Sequence, residues 1–108
     1  MNLAIRTPLI PAQTQRISAD LGRAVQVLSC RPGVQRIWLF GSAARGRPLD
    51  FRSDLDFAVE GLLASELCGS WTELYQSLSF PVDLVRWEEA SPALRDEILK
   101  WGQVLYAA

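Results

Sequence analysis

The chain has 108 residues and a formal charge of −1, from 11 basic and 12 acidic side chains. That length fits one domain, and 49% hydrophobic residues supply a core without disulfides or a structural metal. The near-neutral balance argues against a dedicated nucleic-acid binder, and the absence of histidine excludes Ser-His and Cys-His catalysis, His-ligated zinc and imidazole acid–base chemistry.

Residues 1–11, with Pro8 and Pro11, are expected as an extended N-terminal arm, and residues 12–108 as a single domain. Ile17, Leu21, Ala24 and Leu28 recur at helical spacing, which predicts a helix from about Ala12 to Arg31. Asp20, Arg23 and Arg31 fall off its apolar stripe, and Arg31-Pro32-Gly33 ends it. Arg36-Ile37-Trp38-Leu39-Phe40 reads as a short buried strand bounded by Gly41. After a turn and loop over 41–53, Asp54 to Glu60 alternates. Leu55, Phe57 and Val59 share one face, and Asp54, Asp56, Ala58 and Glu60 the other.

Leu67, Trp71, Leu74 and Leu78 predict a second long helix over Leu62 to Leu78, weakened at Gly69. Pro81 to Trp87 reads as a third strand. Ser91-Pro92 opens a helix with an N-cap serine and a proline at its first position. Leu94, Ile98 and Trp101 give that helix its apolar face, Gly102 ends it, and Val104-Leu105-Tyr106 adds a short strand. The order implies an α/β (α+β) sandwich built on a small mixed sheet. No apolar stretch approaches the ~20 residues that span a bilayer. The start MNLAIRTPLIPAQ is too short and proline-broken for a signal peptide, so a cytoplasmic protein is expected. Cys30 and Cys68 form no Cys-x-x-Cys and are expected as ordinary semi-buried thiols.

The chemistry concentrates in FGSAARGRPLDFRSDLD, residues 40–56. Strand periodicity sets Asp54 and Asp56 on one face, about 7 Å apart at Cβ. Two ionised carboxylates that close repel each other, and a divalent cation between them relieves the repulsion. Asp83 interrupts the apolar stretch of Val82, Leu84 and Val85, and joins the pair if its strand lies alongside. Three carboxylates without His or Cys make a hard, all-oxygen metal site, suited to Mg²⁺ or Mn²⁺. Gly41 permits a sharp turn or close approach to a ligand, and Ser42 adds backbone and hydroxyl donors. With Arg45, Arg47 and Arg52 around the loop, the stretch reads as a phosphate cradle beside a two-metal site. That machinery serves in-line displacement at phosphorus, with Asp83 as base or metal-bridging group.

Gly41-Ser42, an 11-residue gap, Asp54-Leu55-Asp56 and Asp83 within VDLV together resemble the DNA polymerase β-like nucleotidyltransferase superfamily. More closely, LFGSAARGRPLDFRSDLDFAV is similar to the minimal nucleotidyltransferase (MNT) group, whose motif reads GSxARG…SDxD. The resemblance runs from about Arg16 to Tyr106, includes the SPALRDEILKWGQVLY tail and retains all three carboxylates. It implies a mixed sheet with helices packed mainly on one side and carboxylates on adjacent strands. It also implies transfer of a nucleoside monophosphate from a triphosphate, AMP from ATP, to an acceptor hydroxyl. Asp54 and Asp56 would bind two Mg²⁺ ions, and Asp83 would bind the catalytic one and help deprotonate the acceptor. Gly41 and Ser42 would hold the β- and γ-phosphates, Arg45 would neutralise pyrophosphate, and Ser53 of the SDxD element would join the nucleotide site.

Larger relatives carry domains that hold the acceptor, whereas the resemblance here covers only the core. Many minimal nucleotidyltransferases are similar to the antitoxin half of a pair whose other half is a HEPN toxin, and in such pairs the activity is transfer of AMP to a toxin tyrosine. The resemblance therefore implies a HEPN-type partner, with a homodimer or hetero-oligomer as the assembly. Trp87 is the best candidate for a partner-facing patch, while Trp71 and Trp101 are placed with the core. Two alternatives stand beside this: a nucleotide-binding antitoxin that neutralises by contact alone, and a transferase acting on a small molecule or an RNA end.

Overall fold

The computed structural model describes residues 11–46 and 53–108, with side chains from residue 16 onward in the first helix. Residues 1–10 of the expected 1–11 arm, and the loop arginines Arg47 and Arg52, lie outside the described residues. Helix α1 spans Pro11–Ser29. Its first residue is the proline expected in the arm, at a position where a missing N–H forfeits no helical bond. Strand β1 (Arg36–Phe40) leads into a single turn, α2 (Gly41–Ala44), and β2 (Leu55–Glu60) follows. Helix α3 (Ala64–Ser77) crosses to β3 (Val82–Arg86), a 3₁₀ turn covers Trp87–Glu89, and α4 (Pro92–Trp101) returns to β4 (Gln103–Ala107). Ser91 caps α4 as expected: its Oγ accepts from the Leu94 N–H at 3.1 Å.

The sheet has the order β3-β2-β1-β4. β1 is antiparallel to β2 and β4, while β2 and β3 are parallel, joined by the α3 crossover. The sheet is therefore mixed, as the sequence implied. Alternation sorts its two faces. Ile37, Leu39, Leu55, Phe57, Val59 and Leu84 pack beneath Ala24 and Leu28 of α1 and Leu74 of α3. On the other face, Trp38, Phe40 and Ala58 meet Ile98 of α4. The two long helices cover one side and the shorter α4 covers part of the other. Asp56 and Asp83 occur at alternate positions of this second, thinly covered face.

Side-chain contacts tie α1 to α3 at both ends. Arg31 pairs with Glu66 at 2.9 Å and Glu73 at 2.6 Å. At the other end, Asp20 is buried at 5% exposure and accepts from the Ser79 and Phe80 N–H groups and the Ser79 hydroxyl. It thus fixes the loop from α3 into β3.

Three sequence expectations are corrected. Trp71 is 36% exposed, its indole N–H donating to the Val82 carbonyl at 3.0 Å on the outer edge of β3. Trp101 is 51% exposed. Both are less covered than the apolar stripes of their helices implied. Trp87 is the more enclosed ring, stacked on Trp38 at 4.7 Å between centroids. Cys30 and Cys68 are exposed free thiols rather than semi-buried ones. Among the described residues no helix is long and apolar enough to cross a membrane.

Candidate active site

β-sheet register builds the site. Asp56, second in β2, lies opposite Asp83, second in β3, and on its other side opposite Phe40, the last residue of β1. Parallel neighbours stand about 4.8 Å apart between strands, so the two carboxyl groups leave the sheet side by side. Asp54 precedes β2 by one residue, shares the Asp56 side by alternation and is exposed. Partly buried Ser53 comes immediately before it. The Asp56 carboxyl is pushed up to about 6. Burial is the main cause; the negative charges of Asp83, Asp54 and Glu97 follow in that order. Asp54 and Asp83 thus both act on Asp56, and a fourth carboxylate, Glu97 of α4, acts on it with them.

The end of β1 carries the chain into this cluster. Gly41 has φ +76, and a Cβ there would overlap Asp56 Oδ2 and come within 3.2 Å of its Cγ. Only glycine lets the backbone turn this sharply against the carboxylate. Gly41, Ser42, Arg45 and Glu97 line a cleft of about 210 Å³. Two larger hollows, of about 570 and 420 Å³, belong to α1 and α3 on the opposite face of the sheet. Their size does not make them the chemical site, because neither contains the carboxylate cluster.

Sequence reasoning missed three residues here. Glu97 and Trp101 are four apart on α4 and so share a face, and the Arg45 guanidinium lies over the Trp101 ring, 4.7 Å from its centroid. Gln103 donates from Nε2 to the Ala44 carbonyl at 2.8 Å. The i, i+4 spacing of Glu97 and Trp101 was visible, but nothing in the sequence indicated that α4 would end against the turn after β1.

The polymerase β nucleotidyltransferase family model matches residues 23–108, which include the Gly-Ser turn and every carboxylate of the cluster. The chain belongs to this family. Solved structures agree. This nucleotidyltransferase domain is similar to a double aspartate-to-glutamate variant of the toxin-antitoxin MntA-HpeT at 26% identity and TM-score 0.72, over 82% of this chain and 73% of that one. It is similar to a toxin-antitoxin structure with AMP-PNP at 27% identity and TM-score 0.68, over 83% and 73%. It shares its fold with a chain of the Shewanella oneidensis complex of tri-AMPylated HEPN toxin and MNT antitoxin, at 24% identity and TM-score 0.66, over 84% and 72%. No curated protein gives a significant sequence match.

The donor set of the nucleotidyltransferase domain is carboxylate oxygen, which suits a hard divalent ion. Among the described residues no three acidic side chains stand close enough to hold one ion by themselves. Mg²⁺ is usually held by one or two carboxylates together with water and substrate phosphates. The adjacent Asp56 and Asp83 fit that partial cage, with the cleft lined by Gly41, Ser42 and Arg45 beside them.

Proposed function

We propose that this domain is a Mg²⁺-dependent nucleotidyltransferase that moves AMP from ATP to a hydroxyl group, the acceptor being a tyrosine of a HEPN-type toxin that it restrains as an antitoxin. The observation that carries the reading is the in-register pair Asp56 and Asp83, set against the Gly41 turn. A half-buried carboxyl crowded by three other acids is costly in a protein without a cation to use it. In this assignment Asp54, Asp56 and Asp83 hold two Mg²⁺ ions, with Mn²⁺ as a substitute. When bound, the ions supply charge neutralisation at the phosphates and a lowered acceptor pKa. Gly41, Ser42 and Ser53 bind the nucleotide, with the first two at the β- and γ-phosphates, and Arg45 offsets the charge of departing pyrophosphate. The acceptor oxygen bonds to the α-phosphorus, the bond from that phosphorus to the bridging oxygen breaks, and the acceptor proton passes to Asp83.

The toxin acceptor is supported by similarity to toxin–antitoxin structures, one of which carries AMP-PNP. A second reading, neutralisation by contact without turnover, draws support from the α3 surface. Leu63, Trp71 and Tyr75 are exposed there at 50, 36 and 72%.

The test uses α-labelled ATP with Mg²⁺ in a lysate of the source cells, comparing wild type with Asp54→Asn/Asp56→Asn. The expected result is label on a single protein band, with wild type only. Label in RNA or small metabolites would retain the transferase and reject the toxin acceptor. No site-dependent label with any nucleoside triphosphate would reject the transferase and leave the contact reading.

A further inference from the structure

Trp101 departs from the rest of its stripe. Ile98 is fully buried and Leu94 partly so, yet Trp101 stands half exposed at the end of α4. One face of its ring is covered by the Arg45 guanidinium, at 4.7 Å. Arg45 is itself exposed, and it lines the cleft with Gly41, Ser42 and Glu97. An unrestrained surface arginine samples many rotamers, and binding an anion in one of them costs the entropy of the others. A flat indole beneath the guanidinium removes part of that cost beforehand while leaving the N–H edges open to a ligand.

The backbone around the stack is also held. Gln103, two residues past Trp101, pairs with Leu39 in the β1–β4 ladder and donates to the Ala44 carbonyl at 2.8 Å. Ala44 directly precedes Arg45. The α4–β4 junction therefore contacts the α2 turn twice, once through its last carbonyl and once through the arginine that follows.

We infer that Trp101 is a positioning residue that pre-orders Arg45 over the phosphate cleft, giving the site its preference for a triphosphate over a monophosphate. This rests on the nucleotide reading above. In this assignment Trp101 does not reach the α-phosphorus; it acts through Arg45. A merely structural tryptophan would affect every ligand of the domain equally.

The test is calorimetric binding of ATP and of AMP, each with Mg²⁺, at low salt. Trp101→Leu is expected to weaken ATP about two- to fivefold, the worth of an exposed cation–π contact, and to leave AMP unchanged. Trp101→Phe should recover most of the loss. Arg45→Gln should weaken ATP at least as much, and adding Trp101→Leu to it should cost nothing further, because the two act as one unit. Equal ATP binding by wild type and Trp101→Leu, equal losses for ATP and AMP, or additive losses in the double variant would each overturn the inference alone. A wild-type chain that binds AMP but no triphosphate would overturn the nucleotide reading and this inference with it.

Discussion

Asp56 and Asp83 face each other across the parallel β2–β3 pair, second residue against second residue. Two acids in register on neighbouring strands destabilise a sheet. Their cost is contained because α4 covers Ala58 and Val85 farther along the same face but leaves this end open.

That cost is measurable. The Asp56 carboxyl titrates at about 6 in the folded chain against an ordinary 3.8. Between those values the folded state holds a proton that the unfolded state has released, so stability falls as pH rises from about 4 to about 6 and is level above. Asp56→Asn removes this dependence. We expect it to be more stable than wild type at pH 7.5 by about 1–2 kcal/mol, once solvent screening of a half-buried group is allowed for. The advantage should shrink toward zero below pH 4. Urea midpoints at pH 4, 5, 6 and 7.5 would show it; an advantage that does not change with pH would mean the carboxyl is not perturbed.

Gly41→Ala should fail in two ways. Alanine at φ +76 is strained, and its methyl would occupy the space of the Asp56 carboxylate. A loss of at least about 1 kcal/mol in urea unfolding is expected, together with loss of ATP binding even where the fold persists, because Asp56 must move. Gly46 also has positive φ (+74), but among the described residues nothing lies within 4 Å of its added Cβ. Gly46→Ala should therefore show the backbone strain without the displacement of Asp56.

Asp20 is a structural acid with no part in the site. It accepts from two backbone N–H groups and one hydroxyl at 2.9–3.0 Å, all from Ser79 and Phe80. Asp20→Ala strands those donors in a buried position and should cost about 2–4 kcal/mol. Guanidinium unfolding would measure it. A loss below 1 kcal/mol would mean that water replaces the carboxylate.

Much of this was readable in the chain. Arg36–Phe40 has no polar residue after its first, so its burial was fixed by composition. The alternation from Asp54 to Glu60 assigned the acids to one face before any partner strand was known. The pairing of Asp83 with Asp56 was only conditional, because strand order depends on which helix crosses where, and local sequence does not encode that. The role of Asp20 was not legible for a similar reason: it lies off an apolar stripe, and its partners are 59 and 60 residues away. Trp101 misled because helical spacing gives the direction of a side chain but not how fully the neighbouring elements cover it.

Ser70 offers the reverse of the Asp20 case. It lies within α3, is fully buried, and its Oγ has no hydrogen-bond partner among the described residues. A buried hydroxyl without a partner forfeits its hydration and gains nothing in return. Alanine differs only by that oxygen and is the better helix former. Ser70→Ala should therefore stabilise the domain by about 1–2 kcal/mol, and raise its Tm by roughly 4–8 °C for each kcal/mol. Ser18→Ala, on the exposed face of α1, is the control, because it carries only the propensity share of about 0.5 kcal/mol. Calorimetric Tm values for the two variants separate these contributions. If Ser70→Ala gains no more than Ser18→Ala, the Ser70 hydroxyl is satisfied in solution; if it loses stability, the oxygen fills space that the α1–α3 packing requires.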